Sequence, residues 1–355
     1  MEKKTLKRLL NGLFVALIFG LTFRLVFSGQ ELSEIFSDMR EANPVWIGVG
    51  ALLVFLHIAG ESAVIHYMLR KLKQKTPFRR CLKYSFIGFF FCDITPSASG
   101  GQPVQMLYMK RDGIRYGYST LIMMLITIAY KAVLVAAGGI LLILRHETVT
   151  RYAGRMAWLL VLGFVLNISF ILLLVLLVLR PERIRRIGLR LIGWFSAHRL
   201  MKQKTSERLT AKIHRICDTY TAGAAYIRQN PRVIVRIFLI TVVQRLCQFA
   251  VTWVVYRAYG LNGVQFIDIL TLQVMIGIAA EMLPLPGAAG ITEGCFLLVF
   301  TNIFGQDLVR PALLLSRGLS YYLVLIAGGI VTLISHVRLS VRMRKTGEKN
   351  ESVQS

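Results

Sequence analysis

The long apolar runs constrain this chain most. Segments of about 18 or more residues with few charges recur at about 9–27, 44–68, 118–144, 156–180, 233–258 and 310–335. Each is long enough, as a helix, to cross a hydrocarbon core of about 30 Å. Inside lipid a chain must satisfy its own backbone hydrogen bonds, so the pattern predicts an all-α polytopic membrane protein with about six spanning helices. Of the 355 residues, 55% are hydrophobic and only 17% charged, which argues against a soluble fold.

The formal net charge is +25, from 43 Lys and Arg against 18 Asp and Glu. In a soluble protein that excess would suggest nucleic acid. Here its placement decides: most of the basic residues fall on one side of the predicted spans. The positive-inside rule then puts both termini in the cytoplasm of a multi-pass protein of the bacterial cell membrane, and no nucleic-acid partner is expected. The loop 181–232 carries Ile184, Ile187, Leu191 and Phe195 at three- and four-residue spacings between Arg residues. That is the pattern of a basic amphipathic helix at the inner surface, or of an ordinary basic loop. The tail 336–355 is expected in the cytoplasm.

Two apolar segments, 81–111 and 266–304, are interrupted by Pro and Gly. The arm 81–94 would be about 21 Å long as helix, too short to cross. Pro96, Gly100 and Gly101 end it and turn the chain, and Pro284, Pro286, Gly287 and Gly290 do the same in the second segment. An offset of 190 residues superposes "PSASG" at 96–100 on "PGAAG" at 286–290, and "AGGI" at 137–140 on "AGGI" at 327–330. The expectation is an inverted-topology repeat within a single membrane domain, 1–335. Repeat 1 covers about 44–144 and repeat 2 about 233–335, each with a re-entrant helical hairpin entering from its own side.

Ionisable groups at membrane depth are costly and face a bundle interior or an aqueous cavity, which makes each a candidate. Lys131, Arg245 and Arg317 could grip a lipid phosphate, and Glu61 and Glu293 could balance or contact a cationic headgroup. Equally, Glu61, Asp93, Glu281 and Glu293 could neutralise the three cations within the protein. His57 and Glu61 stand four apart on one helix face, a spacing for a pair or a proton relay. Ser97, Ser99 and Gln102 near the first apex could hydrogen-bond a headgroup. Cys81, Cys92, Cys217, Cys247 and Cys295 lack metal or redox spacing and read as small apolar side chains. No nucleophile, paired-carboxylate, metal or ATP-binding constellation emerges, so no catalytic residue and no cofactor is assigned.

"TPSASGGQPVQMLYMKRDG" at 95–113 and "PGAAGITEG" at 286–294 resemble the two motifs of the flippase-like lysylphosphatidylglycerol synthase transmembrane-region family. This is the membrane half of the bacterial multiple peptide resistance factor, a phosphatidylglycerol lysyltransferase. Ala288 and Ala289 depart from the Gly-rich pair expected there. The resemblance implies a protein that moves lipid between leaflets, in full-length relatives lysylphosphatidylglycerol, whose positive charge repels cationic antimicrobial peptides. Those relatives carry a soluble acyltransferase domain that this sequence does not show, so the expectation is a stand-alone flippase without catalysis of its own. Its partners are expected to be membrane lipids (an anionic phospholipid, or an aminoacylated or glycosylated lipid) and a separate lipid-modifying enzyme. The alternatives are the lysyltransferase activity of the family name, or a scaffold for such an enzyme.

Overall fold

The computed structural model describes Arg40 to Glu351 apart from residues 96–98, 180, 282, 284–287 and 289 and most of 198–227. The span expected at 9–27 and the apex residues Pro96, Ser97, Pro284, Pro286 and Gly287 lie outside the described residues. Within them every regular element is helical, and five helices are long and apolar enough to cross a membrane. This is an all-α, multi-pass membrane protein.

The first described span, α1 (Pro44–Lys71), starts where Asn43 caps the Val45 N–H at 2.9 Å and Pro44 presets the first turn. Two short helices follow, α2 (Phe78–Ile94) and α3 (Gly101–Arg111). α2 begins three residues before the predicted arm, but its 17 residues reach only about 26 Å. The two form an antiparallel hairpin. At its base the Asp112 carboxylate accepts from Lys83 at 2.8 Å and from Tyr84 at 2.5 Å, and near its tip Gly101 lies against Cys92. Small residues allow this approach: a Cβ on Gly101 would stand 2.5 Å from the Gly88 carbonyl oxygen.

After the span α4 (Tyr116–Leu144), the residues before the next span fold into a helix α5 (His146–Ala153) and a 3₁₀ turn (Gly154–Met156). Then come the span α6 (Ala157–Leu179) and α7 (Pro181–Ala197), a helix at the start of the basic segment 181–232 that leaves Ile187 and Trp194 exposed. α8 (Pro231–Ala258) is the next span. The second pair of short helices is α9 (Phe266–Ala280) and α10 (Ile291–Phe304). The last span differs from the uninterrupted helix expected over 310–335. It comprises α11 (Val309–Arg317), a π turn over Gly318–Tyr322 and α12, which runs on to Glu351. Single π turns inside α-helices are frequent at functional sites.

Three packings organise the bundle. α1 lies antiparallel on α8: Trp46 meets Trp253, His57 meets Gln244 and Tyr67 meets Arg236. α12 lies against α2, with Gly328 over Phe86 and Phe90, and α4 lies against α9, with Gly138 over Ile278. The apolar interior divides into two cores. One gathers around α2 and α3 and includes Ile65, Tyr84, Met109, Ile122 and Ile237; the other gathers around α9 and α10 and includes Leu134, Val255, Met275 and Phe300. Three spans, α1, α4 and α8, run through both cores.

Candidate functional site

Where those three spans pass from one core to the other, their buried residues turn polar. On α1, Ile58 belongs to one core and Val64 to the other, with Glu61 and Ser62 between. On α4, Tyr130 and Lys131 separate Ala129 from Val133 and Leu134; on α8, Thr241, Gln244 and Arg245 separate Ile237 from Phe249. A polar layer therefore crosses the bundle at the midpoint of each long span.

The second hairpin closes this layer on one side. Glu281, the residue that follows α9, accepts from Lys131 Nζ at 3.0 Å through one carboxylate oxygen and from Arg245 at 2.7 Å through the other. Two cations thus share one carboxylate. The Arg245 guanidinium is 4.0 Å from the Tyr130 ring centroid and 4.3 Å from that of Phe249, and it donates to Gln248 Oε1 at 2.8 Å. Gln248 Oε1 also accepts from the Tyr130 hydroxyl at 3.0 Å. Arg245 Nε is buried without a partner among the described residues.

Across the apex, Glu293 sits in the first turn of α10. One of its oxygens accepts from Arg317 at 2.6 Å, and the other accepts from the Gly290 N–H at 2.6 Å, the carboxylate half of a capping box. Gly290 adopts φ 85°, a left-handed conformation that favours glycine at this turn. Arg317 also lies 4.8 Å from the ring centroid of Tyr321 in the π turn, whose hydroxyl donates to the Asp93 carbonyl at 3.2 Å. The last span thereby touches the ends of both hairpins.

The first hairpin contributes uncharged hydrogen-bonding side chains. Gln105 on α3 donates to Glu61 at 2.6 Å, Gln102 donates to Thr127 on α4, and Ser62 donates to Ser85 at 2.9 Å. Gly100 N–H donates to Thr95 Oγ1 at 2.9 Å at the start of α3, and Ser99 is exposed beside it. At the hairpin base, burial alone would raise the Asp112 carboxyl, but the hydrogen bonds from Lys83 and Tyr84, with the charges of Lys83 and Arg80, outweigh it. Asp112 titrates below the usual carboxylate range.

All three candidate cations are therefore in ion pairs, Lys131 and Arg245 with Glu281 and Arg317 with Glu293. Of the four candidate neutralising acids, Glu61 meets an amide and Asp93 keeps Oδ2 buried without a partner among the described residues. His57 and Glu61 do not serve as the relay pair their spacing suggested: His57 Nδ1 lies 3.1 Å from the Gln244 carbonyl oxygen, while Glu61 turns to Gln105. Sharing a helix face does not fix a partner when neighbouring helices offer better ones. Sequence reasoning gave Glu281 no more than a neutralising role and passed over Gln105, Tyr130 and Gln248. The cluster Gln244, Arg245 and Gln248 on one face of an otherwise apolar span was a usable signal.

Helices of spanning length that enclose charged groups midway along them define a polytopic membrane protein with a polar interior. Residues 9–328 match the family described as the lysylphosphatidylglycerol synthase TM region, and the chain belongs to that family. It is also similar to a UPF0104 membrane protein of Archaeoglobus fulgidus, 24% identical over 317 residues that cover 86% of this chain and 91% of the relative.

Proposed function

We propose that this protein is a lipid flippase. A phospholipid such as lysylphosphatidylglycerol, or a lipid-linked glycan, would pass between leaflets with its headgroup in the polar layer and its acyl chains in the bilayer. The observation that carries this reading is the layer itself. Buried polar groups at membrane depth are expensive and mark substrate paths, and transporter sites lie at the midplane where broken helices end. Lys131, Arg245 and Arg317 would engage phosphate, Glu61 and Glu293 would balance a cationic headgroup, and Gln102, Ser97 and Ser99 would hydrogen-bond it. The family's description, tied to synthesis of lysylphosphatidylglycerol, favours a lipid cargo. With that cargo the physiological role is resistance to cationic antimicrobial peptides, alongside a separate lipid-modifying enzyme.

In the same proposal the two hairpins are re-entrant and the units 44–144 and 233–335 form an inverted repeat in the cell membrane, with both termini cytoplasmic. Three features support it. α1 and α8 hold equivalent positions at the 190-residue offset and run antiparallel side by side. Each hairpin's first arm rests on the final helix of the other unit, α2 on α12 and α9 on α4. Lys131 reaches the end of α9 while Tyr321, its counterpart at the offset, reaches the end of α2. The helix α7, at the cytoplasmic surface, would set Ile187 and Trp194 toward the acyl boundary, with Arg183 and Arg190 beside them and Arg186 further round the helix, their long side chains reaching up to lipid phosphates.

The test is reconstitution in liposomes that carry a fluorescent phospholipid in both leaflets. Transport exposes nearly all the probe to an external quencher. If the accessible fraction equals that of protein-free liposomes across a panel of headgroups, the flippase reading fails.

A further inference from the structure

We propose that Glu281 is a displaceable counter-ion: it holds Lys131 and Arg245 in the empty protein and gives way to the phosphate of an incoming lipid. The inference rests on reading the polar layer as the lipid path and specifies what occupies it at rest.

Charge gives the first argument. One carboxylate faces two cations, so the cluster carries a formal excess of one positive charge between two apolar cores, where uncompensated charge is costly. A phosphodiester carries one negative charge and two free oxygens, the same bidentate pattern with which Glu281 gives one oxygen to each cation. Arg245 keeps a further donor, Nε, buried and without a partner among the described residues.

Attachment gives the second. The side chains of Arg245, Lys131 and Glu281 are 1%, 10% and 21% exposed, so the acid is the most accessible member of the cluster. Arg245 is fixed between Tyr130 and Phe249 and tied to Gln248, on a spanning helix. Glu281 instead follows the end of α9 at the hairpin apex. Its counterpart across the apex is held differently: Glu293 is 5% exposed, and one of its oxygens is tied to the Gly290 backbone N–H of its own helix start, whereas both Glu281 oxygens go to side chains on other helices. Of the two apex carboxylates, Glu293 is an anchor and Glu281 is the one free to leave.

The experiment titrates purified full-length protein in detergent with dihexanoyl phosphatidylglycerol and, separately, with inorganic phosphate, following the thermal midpoint. Both probes offer anionic phosphate oxygens; the lipid is the phosphodiester and adds the acyl chains. Removing an internal competitor removes a conformational penalty on binding, so Glu281→Gln tightens apparent affinity for the short-chain lipid about tenfold. Arg245→Lys, which keeps the charge but loses the planar fork, weakens it about tenfold. If Glu281→Gln does not give folded protein, Glu281→Asp replaces it; the shorter acid holds one cation poorly and tightens binding about threefold. Unchanged or weaker binding in the folded Glu281 variant overturns the proposal. A response to inorganic phosphate without one to the lipid overturns the lipid as ligand. If wild-type protein moves lipid in liposomes while Glu281 substitutions leave binding unaltered, the counter-ion role alone fails. If the binding pattern holds and no lipid moves, the flippase reading alone fails.

Discussion

The two hairpins have nearly the same architecture and opposite chemistry. In the first, α2 and α3 approach each other near the tip at Gly88 and Gly101, and the uncharged Gln102 and Gln105 hydrogen-bond outward to Thr127 on α4 and Glu61 on α1. In the second, the residues flanking the apex are carboxylates, Glu281 and Glu293, each bound to cations on spanning helices. A shared scaffold can therefore separate two tasks: one hairpin shaped by close packing, the other held by charge that a charged ligand can exchange with.

The largest effect is expected where that charge is most buried. Arg245→Ala leaves Glu281 to Lys131 alone, empties the space between Tyr130 and Phe249 and removes the donor to Gln248, and is expected to cost about 2–5 kcal/mol. Thermal denaturation in detergent reads it, and a loss below about 1 kcal/mol would mean the second hairpin does not depend on ion pairing. Next comes the packing of the first hairpin. Gly101→Val forces a side chain into the Gly88 carbonyl and is expected to cost about 1–3 kcal/mol by overpacking. The matching substitution Gly294→Val, at a position where a Cβ would meet nothing within 4 Å, should be much milder. Equal losses at the two glycines would erase the distinction between the hairpins.

Glu61→Gln keeps a hydrogen-bond acceptor opposite Gln105 while removing a carboxylate that meets an amide and no cation among the described residues. It is expected to shift stability by less than about 0.5–1 kcal/mol. A loss as large as that of Arg245→Ala would place a hidden ion pair in the first hairpin. The smallest effect is at the base. The Asp112 carboxyl is held below its ordinary value, so its stabilisation is present above about pH 4 and is lost as pH falls through the depressed folded value. Asp112→Asn should lower stability at neutral pH and leave low pH little changed, which flattens the acid limb of the thermal-stability profile; an unaltered acid limb would contradict that role.

Much of this was legible in the sequence because lipid imposes coarse rules. Apolar length located α1, α4, α6 and α8, Pro and Gly located the two interruptions, and the rarity of charge in spans drew attention to Lys131, Arg245 and Arg317. Partner choice was not legible. Lys131 and Glu281 are 150 positions apart, and only packing of α4 on α9 decides that Glu281, and not Asp93 or Glu61, receives the cation. The helix α5 is too short and mixed for a run-length reading to detect. The π turn after Arg317 interrupts a run that is apolar on both sides, so hydropathy alone reads through it.

The central claim is that the two hairpins enter the membrane from opposite faces and meet in the polar layer. Sidedness of their bases tests it most directly. In a cysteine-free background, single cysteines at the exposed positions Arg115 and Gln306 would be challenged with a membrane-impermeant maleimide in vesicles of known orientation. The account predicts labelling of Arg115→Cys only from the cytoplasmic face and of Gln306→Cys only from the opposite face. Labelling of both from the same face would contradict it.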